Sequence, residues 1–198
     1  MKEQFIHINV NGTKHYYSDR EMEILHREDG PATEYANGGK MWYINGKCHR
    51  EDGPAVEYAN GYKAWYINDK RHREDGPAIE YANGDKSWYI NGKCHREDGP
   101  AVEYANGDKE WCINGKCHRE GGPAVVEAEG SKAWFINGKY HREDGPAFED
   151  VNGYKEWYLN NKRLTEEEFN ARMNPVELTL DEIAEKFGVS VDKLKIKK

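Results

Sequence analysis

His26-Arg27-Glu28-Asp29-Gly30-Pro31-Ala32 is the phrase around which the chain is built, returning at His49, His72, His95, His118 and His141, every 23 residues. The fifth copy carries Gly121 where the others have Asp. Between copies runs a second constant block, such as Glu57-Tyr58-Ala59-Asn60-Gly61-Tyr62-Lys63-Ala64-Trp65-Tyr66-Ile67-Asn68. Six units therefore fill residues 26–163, and a fixed period of this size marks a repeat array.

Each unit reads as β structure. Asn-Gly between β-prone runs is a strong hairpin signal, because a type I′ turn needs positive φ at both central residues. The fourth unit has two such pairs, Asn106-Gly107 and Asn114-Gly115, around the run Lys109–Ile113. Two turns per unit imply an antiparallel meander. Asp-Gly-Pro reads as a connecting turn, with glycine supplying permissive φ and proline unable to donate in a ladder. With Asn106-Gly107 as a two-residue loop, Val102 lies opposite Trp111 and Tyr104 opposite Lys109. Alternation then puts Val102, Tyr104, Trp111 and Ile113 on one face. That face, with Trp at 42, 65, 88, 111, 134 and 157, is the expected core. Strong twist, the connecting loops or a second chain must cover it; the last would make a homodimer through the Trp face. The opposite face holds Ala101, Glu103, Ala105, Glu110 and Cys112, varies between units, and is the expected exposed surface.

The totals bound the function. The chain has 198 residues and a net charge of −7, with 37% apolar and 12% aromatic residues. Net acidity disfavours nucleic acid and anionic membrane as partners, since both select a cationic surface. The start, Met1-Lys2-Glu3-Gln4-Phe5, lacks the apolar core of a signal peptide, and no run is long enough to span a membrane. The expected location is the cytoplasm, that of the host cell if the chain is phage-encoded.

Residues 1–25 read as an N-terminal cap. Asn11-Gly12-Thr13-Lys14-His15-Tyr16-Tyr17 echoes the Asn-Gly-x-Lys-x-Trp-Tyr block, with three extra residues before His26. Residues 164–198 read as a small helical segment. Thr165-Glu166-Glu167-Glu168 and Thr179-Leu180-Asp181-Glu182 are capping-box signatures, and Gly188 is the expected stop of the second helix.

The period and the phrases Asn-Gly-Lys-x-His and Tyr-Ala-Asn-Gly resemble MORN repeats, arrays of β-hairpins in an elongated twisted sheet. Asp-Gly-Pro stands where those repeats carry Gly-x-Gly. The unit is still more similar to uncharacterised bacteriophage-encoded repeat proteins sharing His-Arg-Glu-Asp-Gly-Pro-Ala and an ending like Arg163–Phe169. The fold expected is mainly β: an elongated antiparallel β-hairpin repeat array, MORN-like, roughly 60 Å long at about 10 Å per unit. What the resemblance implies is an interaction module, and its phage side implies a host or defence protein as target. In the tail, Ile183–Ser190 resembles the first helix and turn of a helix-turn-helix, and equally the middle of a LysM module; these imply a nucleic-acid-linked regulator or a cell-wall glycan binder. A docking cap is the third reading.

Three constellations bear on chemistry. The histidine ladder carries potential metal ligands, but equivalents in successive units stand too far apart to share one ion. The acid–His–Arg set recurs in every unit, whereas an active site is usually singular, so no catalytic residue, cofactor or metal ligand is assigned and no enzyme is expected. Cys48, Cys94 and Cys117 share one repeat position, too far apart to bridge. Cys112 and Cys117 face each other around Asn114-Gly115 and could bridge under oxidation. Lys193, Lys195, Lys197 and Lys198 form a basic terminus offset by nearby acids. The partner-binding set expected on the polar face is Tyr43, Tyr66, Tyr89, Phe135 and Tyr158 with Glu57, Glu80 and Glu103, suited to a protein partner.

Overall fold

The computed structural model describes residues 4–175 and 177–195. Residues 1–3 of the expected cap, and Lys197 and Lys198 of the basic terminus, lie outside the described residues. The protein is mainly β, and its backbone pairs only antiparallel.

Every unit contributes one hairpin to a single sheet of fifteen strands that follow one another in chain order. In the second unit Val56–Glu57 pairs with Lys63–Ala64, which then pairs with Ile79–Glu80 of the next unit. The second hairpin, Tyr66–Ile67 with Lys70–Arg71, leaves the long sheet and forms its own two-stranded ladder. The uninterrupted strand expected over Lys109–Ile113 accordingly divides at Trp111 into Lys109–Glu110 and Cys112–Ile113. Trp111 sits at the fork. Both its backbone bonds go to the next unit: its N–H donates to the Ala124 carbonyl at 2.7 Å, and its carbonyl accepts from the His118 N–H at 2.9 Å. The small hairpins are linked in turn, as where Gly115 N–H donates to the Cys94 carbonyl at 2.8 Å.

The two Asn-Gly pairs adopt different turns. Asn114 and Gly115 have φ of 52° and 81°, the type I′ turn expected. At the other pair only Gly107 is left-handed, with φ 101°. Its N–H donates to the Tyr104 carbonyl at 2.9 Å, and Tyr104 N–H donates to the Asp108 carbonyl at 3.0 Å, closing a three-residue loop. This is a type I turn followed by a left-handed glycine. The expected register is therefore corrected: Val102 pairs with Glu110, and Glu103 with Lys109.

A one-residue slip exchanges the faces of a strand, and the expected surface is in large part the core. Ala101 and Ala64 are fully buried, and Ser87, Ala133 and Cys112 nearly so. Tyr104, placed in the expected core, is 39% exposed. Core packing lies between the long sheet and the small hairpins, where Val56, Ala64 and Ile79 meet Cys48, Tyr43, Tyr66 and Tyr89. The alanine after each proline (32, 55, 78, 101, 124 and 147) is wholly inaccessible. The far side of the sheet is a ladder of opposite charges, Glu57 facing Lys40 and Lys63, and Glu80 facing Lys63 and Lys86.

Both chain ends adapt the pattern. At the start, Phe5–Ile8 pairs with Lys14–Tyr17, and Tyr16 makes the backbone bonds that tryptophan makes elsewhere, to Ala32 and from His26. At the other end, Leu164 replaces the histidine and is buried. Helices α1 (Glu166–Met173) and α2 (Leu180–Phe187) follow, each opened by the expected capping box from Thr165 or Thr179. Phe169 buries α1 against the last strands. Gly188 ends α2 in the left-handed conformation. No helix among the described residues is long and apolar enough to cross a membrane.

Candidate functional site

The repeated charged residues are engaged within the chain, and each arginine is their centre. Arg50 stacks 4.0 Å above the Trp42 ring. It donates to Asp52 at 2.9 Å, to the Pro54 carbonyl at 3.2 Å and to Glu57 at 3.1 Å. Arg73 and Arg96 repeat these contacts over Trp65 and Trp88, and Arg27 does so over Tyr16. The rings of Trp42, Trp65, Trp88, Trp111 and Trp134 are thus covered by guanidinium groups of their own chain. The hydrogen bond from Arg50 holds the Asp52 carboxyl below its ordinary range, as the equivalent bonds do for Asp75 and Asp98. Glycine in Asp-Gly-Pro has a different reason from the expected one. Gly53 and Gly76 do not have positive φ, but a Cβ on them would lie 3.0 Å and 2.9 Å from the Arg50 and Arg73 Cζ atoms.

Histidine performs a second structural task. Nδ1 of His26, His49, His72, His95, His118 and His141 accepts the N–H of the asparagine that opens the next small turn, at 3.0–3.3 Å. Nε2 of His49 and His72 faces Glu51 and Glu74 at 3.7 Å and 3.6 Å. Between successive loops lies an open groove, lined in one instance by Glu28, Asp29, Trp42, Ile44, Glu51 and Asp52. It recurs in later units with the same chemistry.

The expected partner-binding residues divide between two environments. Glu57, Glu80 and Glu103 lie on the charged side of the sheet, half-buried and bonded to Arg50, Arg73 and Arg96. Tyr43, Tyr66, Tyr89, Phe135 and Tyr158 lie on the small hairpins, also half-buried, and the first three pack against the core. Burial pushes the Tyr43 hydroxyl up to about 12.

Beside them runs a set that the slipped register concealed. Tyr58, Tyr81 and Tyr104 hold one repeat position at the start of each three-residue loop and are 43%, 43% and 39% exposed. Tyr35, Tyr58, Tyr62 and Tyr81 form a chain of ring contacts, with centroids 6.3, 5.5 and 5.4 Å apart. The result is a ridge of neutral phenols at the edge of the long sheet. A signal for it was present at Glu129-Gly130. Glutamate is a poor residue for positive φ, so the first turn could not be type I′ in every unit.

In the tail, α2 leaves Leu180 46% and Phe187 71% exposed. The element after its turn is a single 3-10 turn, Val191–Lys193, so the described residues contain no second helix of a helix-turn-helix.

Cys112 and Cys117 are cross-strand partners, as the second turn predicted, with thiol sulfurs 4.0 Å apart. The Cys117 contact favours the Cys112 thiolate, but the Cys94 thiol and burial outweigh it and push Cys112 up to about 12. Burial, with the Asp69 charge, pushes Cys48 up to about 12. No protein-family model matches the chain, and no match is found among curated proteins.

Proposed function

We propose that this chain is a non-enzymatic protein-binding scaffold whose contact surface is the tyrosine ridge of Tyr35, Tyr58, Tyr81 and Tyr104, backed by Tyr43, Tyr66 and Tyr89. The observation that carries the reading is the exposure of Tyr58, Tyr81 and Tyr104 in register over three consecutive units whose arginines and sheet glutamates are already paired with each other. Large, stiff side chains with one polar atom give contact area at low entropic cost, which is why tyrosine is enriched at protein interfaces. A non-enzymatic role is supported by the repetition of the acid–His–Arg set and by its structural bonds: Nδ1 of each histidine is already an acceptor, and each such arginine covers an aromatic ring. The net charge of −7 favours a partner with basic character over nucleic acid. The similarity of the His-Arg-Glu-Asp-Gly-Pro-Ala phrase to phage-encoded repeats supports a bacterial host or defence protein as that partner, met in the cytoplasm.

The test is affinity capture from nuclease-treated bacterial lysate with the full chain and with Tyr58→Ser/Tyr81→Ser/Tyr104→Ser, circular dichroism establishing that both are folded. A stoichiometric protein captured by the parent and lost by the triple variant is the expected result. Capture by both, or by neither, refutes the ridge as the binding surface. A partner lost instead on Phe187→Ser assigns binding to α2.

A further inference from the structure

The fourth unit departs from the others at its small hairpin. Where Tyr43, Tyr66, Tyr89, Phe135 and Tyr158 put a ring, this unit has Cys112. Its cross-strand partner is Cys117, a position held by Tyr140 in the next unit, where the rings of Phe135 and Tyr140 lie 4.1 Å apart. Two thiols thus stand where the fifth unit has two rings, with their sulfurs 4.0 Å apart. A Glu110 carboxylate oxygen and both sulfurs all lie within 4.8 Å of one another. A third thiol, Cys94 of the preceding small hairpin, lies 3.9 Å from the Ala101 carbonyl. Cys112 is buried, and Cys94, Cys117 and Glu110 are half-buried.

We infer that Glu110, Cys112 and Cys117 form a binding site for one thiophilic divalent cation of the Zn²⁺ class, with water completing the tetrahedron. The sulfurs stand 4.0 Å apart. Two thiolates on a tetrahedral zinc with bonds of about 2.3 Å are separated by about 3.8 Å, so the hairpin already holds them at the required spacing. A disulfide requires about 2.05 Å, and therefore a larger approach. The carboxylate needs to close by only about an ångström to reach the ion, within the reach of a glutamate side chain. Two thiolates with one carboxylate suit a borderline-soft ion, and disfavour Mg²⁺ and Ca²⁺, which take oxygen ligands. Each coordinating thiol gives up its proton to water, so binding tightens as pH rises. The ion would tie the long-sheet strand Lys109–Glu110 to the small hairpin of Cys112 and Cys117, across the fork at Trp111. This site is separate from the histidine ladder: among the described residues, Glu110, Cys112 and Cys117 are the one group with metal-ligand spacing.

The test uses the full chain, kept reduced, titrated with Zn²⁺ and with Co²⁺ as spectroscopic probe. One equivalent should bind, with thiolate-to-cobalt charge-transfer absorption and proton release. Cys112→Phe installs the residue that the fifth unit carries, so the fold should persist while affinity falls at least about tenfold. Glu110→Ala, which installs the residue that the second and fifth units carry at the equivalent strand position (Ala64, Ala133), should weaken binding with the fold intact. Cys48→Ser should leave binding unchanged. Zn²⁺ should also slow formation of a Cys112–Cys117 disulfide by oxidised glutathione, a step that passes two electrons and two protons to the oxidant. The inference is overturned by the absence of the charge-transfer band, by its survival in Cys112→Phe, by several equivalents bound with equal affinity, or by a disulfide that forms equally fast with and without Zn²⁺.

Discussion

At the scale of the residue, arginine is the fastener of each unit. Arg73 has one ring, two carboxylates and a backbone carbonyl within reach, and its side chain is only 22% exposed. A charge-bearing hydrogen bond is worth about 1.5–3 kcal/mol, and a cation over a ring about 0.5–2 kcal/mol. We expect Arg73→Ala to cost about 2–3 kcal/mol in urea denaturation. Gly76→Ala should cost about 1–2 kcal/mol, because its Cβ would meet the guanidinium at 2.9 Å. The two effects act through one group, so the double variant should lose clearly less than their sum. Full additivity would show that Gly76 is there for another reason. The aspartates give a pH dependence. Asp29, Asp52, Asp75, Asp98 and Asp144 are all held below their ordinary range, with the hydrogen bond from the neighbouring arginine the first cause in each. Their contribution is fully present above the unfolded value of about 4 and is lost as pH falls through the depressed folded value. These carboxylates are exposed and screened, so the loss per pair is small, but it is repeated along the array. The urea midpoint should fall between about pH 4.5 and pH 2.5; a midpoint flat across that window would rule the pairs out as contributors.

At the scale of the element, the two turns of a unit are different objects that share a dipeptide. The second turn needs positive φ at both positions, and Asn68-Asp69 and Asn160-Asn161 satisfy it without glycine. The first needs it at glycine alone. Asn60→Glu should therefore cost no more than a few tenths of a kcal/mol, apart from its hydrogen bond to the Tyr62 N–H. Asn91→Glu, at φ 51°, should cost about 1 kcal/mol or more. Equal effects would contradict the assignment of the turns. The capping boxes of α1 and α2 were readable because their logic is confined to four residues: Thr165 and Glu168 satisfy each other's backbone donors at 3.1 and 3.0 Å. The Cys112–Cys117 pairing was readable for the same reason, since a two-residue turn sets the register of its own hairpin.

At the scale of the whole molecule, each unit contacts its neighbours through a few fixed bonds, so stability should behave as a sum of units and junctions. The fifth unit's contacts are thinner. Arg119 keeps the Trp111 ring at 4.0 Å and the Pro123 carbonyl at 3.1 Å, but Gly121 and Val126 stand where other units place its acidic partners. Amides around Val125 and Ala133 should therefore exchange faster than their equivalents around Ile79 and Ser87, and Val126→Glu should narrow the gap. Uniform protection along the array would argue for cooperative opening of the whole sheet instead.

The sequence by itself determined the period, the β character, the second hairpin of each unit and the helical C-terminus, because each follows from interactions between residues close in the chain. Tertiary structure decided which face is the core. Ala101 and Ala64 are buried because a neighbouring unit lies against them, and Tyr104 is exposed because a left-handed glycine at 107 moves the register by one residue. The arginine cover over the first five tryptophans was decided at the same level. An arginine eight residues beyond Trp42 reaches back over the ring only once the small hairpin has returned the chain to it, and no local pattern announces that return.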